Sequence, residues 1–341
     1  MNAILQRLKR THGIDFSAAI RSGMAMDFMP DDVMAFDAQP ALITVSSTGI
    51  PAFLSNYIDP KVIQVLTTPN KAAQILGETK KGEWVTRTMT FPMVESTGET
   101  SSYGDWSNQG AVSANVQFPQ RQSYHYQTIT QWGEKQLAEA GLAKIDWASR
   151  LNIASAIVLD KFQNNTYFYG VGGLQNYGLL NDPALSAAIV PVTKAATGTT
   201  WAVATANEVY SDFQSLFAKL VTQSNGLVMM DTKMVLALSP ASAVFLTNTN
   251  SFGVNVGDLL KKNYPNIRIE VAPQYTNLGI NTVQLIAEEV DGQETGYCAF
   301  TEKMRAHPIV LDVSSFKQKK SQGTWGAVIF LPFAIAQMVG V

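Results

Sequence analysis

Three histidines and a single cysteine are the most reactive side chains in this sequence, and their spacing assembles no familiar site. His12, His125 and His307 lie in separate contexts, with no histidine or cysteine partner at metal-ligand spacing, so bound zinc is not expected. Gly170-Val171-Gly172 begins like a dinucleotide fingerprint, but Gln175 stands where the third glycine belongs. The run also follows a helical pattern rather than a strand, which is the wrong context for pyrophosphate binding. There is no glycine loop ending in Lys-Ser or Lys-Thr, and no Gly-x-Ser-x-Gly elbow. Glu288, Glu289 and Asp291 could hold a cation, but a solvated edge loop accounts for the same residues. Lys317, Lys319 and Lys320 read as a basic tip that either touches a polyanion or sits in a solvated turn. No catalytic residue, metal or cofactor is assigned.

What remains is aromatic. Trp84, Phe91, Tyr103, Trp106, Tyr124, Tyr126 and Trp132 fall in one β-patterned stretch. They could stack on sugars or bases. On a hairpin that has to lie on protein, they serve better as interface anchors. Arg87 and Arg121 fall in the same stretch and are included as interface candidates.

Composition agrees with buried outer surfaces. Of 341 residues, 46% are hydrophobic and only 15% charged, against about 25% charged in a typical soluble domain. Net charge is −2, giving no general attraction to nucleic acid or membranes. The first residues differ: Arg7, Lys9, Arg10 and Arg21 are opposed only by Asp15. Such an arm could neutralise phosphates, or lie across a neighbouring subunit. A lone cysteine excludes an internal disulfide and fits a reducing compartment. No signal peptide and no apolar run long enough to span a bilayer is read in the sequence.

Residues 1–60 read as an extended arm. Gly13, Gly23, Pro30, Pro40, Gly49, Pro51 and Pro60 forbid long regular elements, while Met24, Met26, Phe28, Met29, Met34 and Phe36 want a surface to lie on. Residues 61–79 hold a short helix, expected over 62–76 and stopped by Gly77. Residues 80–131 form a long hairpin: a strand at 84–91, a polar loop at 98–110, and returning strands at 111–118 and 122–130. Two strands alone are marginal in water, and their open edges invite a partner. Residues 134–164 are helical, breaking near Gly141 and restarting at Asp146 as N-cap. Apolar residues on two faces of that helix suggest that it is sandwiched.

The body alternates helices and strands. Thr205-Ala206-Asn207-Glu208 is a capping box ahead of the stripe Val209, Phe213, Leu216, Phe217 and Leu220. Strands are expected at 227–230, 234–238, 267–271, 282–288, 296–300, 309–313 and 325–330. Helices are expected from Pro240 and over 256–263. Residues 325–341 read as a buried strand pair. The class is α+β rather than a doubly wound nucleotide fold.

The order of these parts resembles that of tailed-bacteriophage major capsid proteins with the Hong Kong 97 fold. The features that carry it are the arm, the hairpin, the helix ending at Asn164 and the Tyr169-Gly170 turn. Gly178-Leu179-Leu180-Asn181-Asp182-Pro183 and the closing apolar run 326–336 carry it too. The resemblance implies that residues 80–131 are the extension loop and 146–164 the spine helix. By the same likeness, residues 132–202 belong to the spine helix and peripheral domain, 203–302 to the axial domain, and 303–341 to the closing strands. Some relatives join neighbouring subunits through a Lys–Asn bond, but the loop tip at 99–110 has no lysine.

The reading is an icosahedral shell subunit in the virion capsid, not an enzyme, and without a membrane. Its expected partners are copies of itself in hexamers and pentamers, scaffolding, portal and decoration or minor capsid proteins, and packaged double-stranded DNA bound without sequence preference. A protein-filled nanocompartment of encapsulin type is the alternative within the same fold. A hydrolase or carbohydrate-binding protein is the alternative from another class.

Overall fold

A computed structural model describes residues 69–142 and 146–341. The arm residues Arg7, Lys9, Arg10, Arg21 and Phe28, and the first part (62–68) of the helix expected over 62–76, lie outside the described residues.

In chain order, the first part runs α1 Ala72–Leu76, β1 Glu78–Lys80, β2 Thr88–Thr90, β3 Met93–Gly98, β4 Val112–Gln117, β5 Gln120–Gln122, β6 Tyr124–Gly133, α2 Glu134–Leu142 and α3 Trp147–Tyr169. The body follows with α4 Ala206–Gln223, β7 Met234–Leu238, α5 Pro240–Phe245, α6 Val256–Asn263, β8 Ile267–Val271, β9 Thr276–Asn277 and β10 Ile280–Ala287. After these come β11 Glu289–Val290, β12 Gln293–Glu294, β13 Gly296–Asp312, β14 Ser315–Ile329 and β15 Ile335–Val339. The class is α+β.

Two sheets organise these elements. One is four-stranded in the order β1-β13-β14-β6, with α3 packed across it. The other orders β15-β10-β7-β8, with β9 appended to β10. Every residue of β7 is buried because α4 covers one face of this sheet and the other faces the cluster around Phe168 and Tyr275. The capping box forms as expected: Thr205 accepts from the Glu208 amide, and Glu208 accepts from the Thr205 amide at 2.7 Å. All five residues of the predicted stripe on α4 are buried in one cluster, each worth roughly 1.5–3 kcal/mol relative to exposure.

Several expectations are corrected. The strand expected at 84–91 is only β2, because Trp84 and Val85 form a turn closed by the Thr86 amide and the Glu83 carbonyl. The hairpin does not extend to 131, since β6 leaves it to pair with β14 from Tyr124 to Gly133. The spine helix does not stop at Asn164 but runs on to Tyr169. There the backbone turns at Gly170 with φ 62°. A Cβ on Gly170 would stand 2.2 Å from the Asn176 carbonyl, so only glycine lets the returning chain approach. Residues 227–230 are loop, anchored by the Ser224 hydroxyl accepting from Val228. The strands at 296–300 and 309–313 belong to one strand, β13, threaded by bulges. The closing run is not a strand pair: β14 ends at Ile329 in one sheet, and β15, which follows the turn at Pro332, belongs to the other.

The lysines at 317–320 are not in a turn, although Lys319 is solvent-exposed. They lie on β14, and Lys320 is buried against α3, where Asn152 and Ser155 accept from it. Lys317 pairs with Asp312. The acids near 288 are an edge: Glu288 pairs with Arg268 at 2.7 Å, and no metal-holding acid cluster occurs among the described residues.

Candidate assembly interface

β3 and β4 form a two-stranded ribbon that stands clear of the body. Their register runs from Met93 opposite Gln117 to Gly98 opposite Val112. All six residues of β4 are exposed, as are five of the six in β3. At the tip, Tyr103 is 93% and Trp106 is 98% exposed. Val94, Val112 and Phe118 are exposed along the ribbon. No monomer gains by holding two large aromatic rings in water, so this ribbon carries contact surface without a contact of its own. Between residues 92 and 120 there are three acids (Glu95, Glu99 and Asp105) and no lysine or arginine.

Two more surfaces share this property. α3 buries Leu159, Gln163 and Phe168 but leaves Trp147, Ile153, Val158 and Phe162 exposed, so apolar residues also lie on its outer side. The far end of β13 and its turn expose Ile309, Val310, Leu311 and Val313.

The expected interface residues divide into two groups. Tyr103, Trp106 and Arg87 are exposed, and the Tyr103 hydroxyl donates to Asp105 in the same loop. The others are engaged within the subunit. Trp84 meets His125 edge-on, ring centroids 4.6 Å apart, and lies under the Arg305 guanidinium. Burial lowers the pKa of His125 against the opposing pull of its hydrogen bond at Trp84 and the Glu302 charge. Phe91 packs edge-on against Phe330 at 5.5 Å. Tyr124 and Tyr126 stack on one another, and Tyr126 lies 4.4 Å from Phe162 on α3. Burial, with Asp160 and Glu78 adding to it, drives the Tyr126 phenol pKa upward. Arg121 donates to Asp182 at 2.7 Å and covers the Tyr177 ring.

The segment after α3 is legible in the sequence only as a motif; its contacts are not. Leu179 and Leu180 donate to the carbonyls of Tyr167 and Phe168, closing the helix end. The Asn181 side chain accepts from the Gly178 amide at 2.7 Å and donates to the Tyr169 carbonyl. A Cβ on Gly178 would fall 2.3 Å from the Phe168 carbonyl, which explains the glycine. Asp182 then reaches Arg121 at the hairpin root. A second group that sequence reasoning misses is Lys194, which pairs with Asp212 while Trp201 donates to the same carboxylate at 2.8 Å. All three are buried and pin the 190–204 loop to α4. A pair 18 residues apart across an irregular loop has no periodicity to betray it.

The cleft at the hairpin root, between Phe91, Arg121, Asp182 and Phe330, has a volume of about 180 Å³. Ligand sites usually hold ~300–1,000 Å³. Among the described residues, no helix is long and apolar enough to cross a membrane.

The model of the Pa193 gp26 major capsid protein family matches residues 41–340. No curated protein matches the sequence significantly. Among solved structures, the capsid of Myoviridae phage XM1 superposes with a TM-score of 0.72 at 15% identity, covering 86% of this chain and all of that one. A capsid chain of a native GTA particle gives 0.60 at 9% identity, covering 89% and 99%. A structure from Mycobacterium phage Ogopogo gives 0.58 at 9% identity, covering 86% and 99%. The fold is Hong Kong 97-like, and the family match supports a structural capsid role over the hydrolase and carbohydrate-binding readings. With a match over most of its length, the chain belongs to the Pa193 gp26 major capsid protein family, whose members form the shell of the virion.

Proposed function

We propose that the ribbon of β3 and β4 is the strap by which one subunit holds the next, with Tyr103, Trp106 and Arg87 as its contact residues. The observation that supports this reading is the near-complete exposure of the ribbon and its two tip aromatics. Interface aromatics of this kind carry a large share of association energy, ~2 kcal/mol or more each. In this reading residues 80–122 are the extension loop, α3 is the spine, and the sheet containing β7 and β10 with its helices forms most of the axial domain. The four-stranded sheet belongs to the peripheral domain. Trp84, Phe91, Arg121, Tyr124 and Tyr126 support the strap from below. Portal, scaffolding and decoration proteins, and packaged double-stranded DNA without sequence preference, are the further partners that a shell of this kind needs.

The test is to replace residues 93–117 with a short Asn-Gly turn and examine the product by circular dichroism, sedimentation and electron microscopy. A folded subunit that forms no shells is expected. Normal shells from the shortened chain would refute the strap.

A further inference from the structure

The strap has an internal joint. β2·β5 and β3·β4 are two separate ladders, yet their register is continuous: Thr90 faces Gln120, and three residues further on Met93 faces Gln117. Between them stand Phe91 and Pro92 on one strand and Phe118 and Pro119 on the other. Phe91 donates to the Pro119 carbonyl at 3.0 Å. An antiparallel pair at this position should return a second bond, from residue 119 to the carbonyl of 91. Proline has no N–H, so that bond cannot form. One hydrogen bond therefore holds the crossing where two would, and Pro92 removes the neighbouring outward donor as well.

The two sides of the crossing are anchored very differently. On the body side, Arg121 and Asp182 have side chains only 14% and 1% exposed and make a 2.7 Å charged contact. Gln122 donates through its amide to the Gln175 carbonyl, and the Asn176 side chain donates to the Gln122 carbonyl. Phe91 is held by Phe330. Beyond the crossing, β3 and β4 pair with no other strand, and almost every residue is exposed. Rigidity on one side and freedom on the other meet at a weakened rung.

We propose that the hairpin is a two-part lever. The root ladder β2·β5 is fixed to the body through Arg121 and Asp182, and the ribbon β3·β4 pivots as one piece about the Phe91–Pro119 crossing. Asp182 is then a positioning residue. It couples the end of α3, through the 178–182 turn, to the direction in which the ribbon leaves the subunit. The device is a property of the single subunit and stands independently of what the ribbon later touches.

The test uses the full chain under conditions that keep it unassembled. Spin labels are placed on the body at Gln214→Cys and, in turn, on the root at Thr90→Cys and on the tip at Ser107→Cys. The native Cys298 is fully buried and its thiol pKa is raised by that burial, so it stays unlabelled. A narrow body-to-root distance distribution and a broad body-to-tip distribution are expected. Pro119→Val restores the missing donor and should narrow the body-to-tip distribution while leaving body-to-root unchanged. Asp182→Asn, or Arg121→Gln should the first not fold, should broaden body-to-root and speed exchange of the Gln122 amide about tenfold or more, the scale of losing a charge-assisted bond. Equal widths for root and tip would overturn the joint, and so would a Pro119→Val distribution as broad as the parent. An Asp182→Asn root as narrow and as protected as the parent would overturn the latch.

Discussion

Lys320 holds its ammonium 2.8 Å from the side-chain oxygen of Asn152, bridging β14 to α3 across 168 residues of sequence. It also donates to the Ser155 hydroxyl at 2.7 Å and, at 3.4 Å, to the Asn152 carbonyl. Only 4% of the residue is exposed, and among the described residues no carboxylate pairs with it. Three neutral oxygens carry the charge, and burial lowers its pKa.

Removing that ammonium should loosen the helix from its sheet. Lys320→Met keeps the stem and deletes the three bonds, leaving the side-chain oxygen of the half-buried Asn152 without this donor. A loss of ~1–3 kcal/mol is expected, the range for a hydrogen-bonded charged group. Urea unfolding of the unassembled subunit reads it directly. A midpoint equal to the parent's would mean that water replaces the ammonium at no cost.

The α4 N-terminus should respond to acid. Glu208 is held at a pKa of about 2, below its ordinary 4.5, by hydrogen bonds from the amides of Thr205 and Ala195 and from the Thr205 hydroxyl. A lowered folded value means that its contribution is complete above 4.5 and fades as pH falls toward 2. Glu208→Gln should flatten that part of the acid-unfolding curve. Thr205→Ala, which removes the cap itself, should cost ~0.5–2 kcal/mol at neutral pH. A Glu208→Gln variant with the parent's acid profile would rule out this carboxylate as the source.

Local chemistry was legible in the sequence, and long-range pairing was not. The Thr205–Glu208 box, the Asp146 cap, Pro240 at a helix start and the Val209–Leu220 stripe each depend on neighbours within a few turns, and each forms as expected. The spine helix overran its expected end because Asn164 faces inward. Its side-chain oxygen accepts from the amides of Lys71 and Ala72, so it caps α1 instead of ending α3. The lysines at 317–320 look solvated in any window of sequence. Only the pairing of β14 with β6 and the crossing of α3 decide which of them turns inward. Of the interface candidates, sequence spacing could not separate Trp106, which faces water, from Phe91, which faces Phe330.

The Trp84 turn should loosen on mild acidification. His125 packs against Trp84, with Thr301 3.4 Å from its ring nitrogen and with Glu302 and Arg305 as the charges nearby. Its folded pKa lies below the ordinary 6.5 because burial disfavours the imidazolium. The contribution is therefore whole above 6.5 and is lost as pH falls from there toward the folded value. Trp fluorescence or exchange at residues 83–87 should change over that interval in the parent and not in His125→Phe. An identical response in both would assign the transition to another group.

Truncating single aromatics should separate the strap from its support. Trp106→Ala removes a ring that is 98% exposed and touches nothing in the subunit, so unfolding of the free chain should be unchanged. If the ring is a contact residue, shell formation should need a higher protein concentration, by ~2 kcal/mol or more per contact. Phe91→Ala acts elsewhere. It opens a gap beside Phe330 and the cluster of Tyr297, Ala299, Trp325 and Val328, at ~3 kcal/mol or more if the site cannot collapse. Its first effect should appear in subunit unfolding, with any assembly loss following from that. Tyr126→Phe provides an intermediate case, deleting only a 3.4 Å bond to the Leu159 carbonyl and keeping the ring against Phe162. It should leave both readouts close to the parent. Sedimentation across a concentration series, paired with denaturant unfolding of each variant, distinguishes the three. A Trp106→Ala subunit that assembles at the parent's concentration removes Trp106 from the contact. A Phe91→Ala subunit as stable as the parent, yet unable to assemble, would move Phe91 from the support to the contact surface.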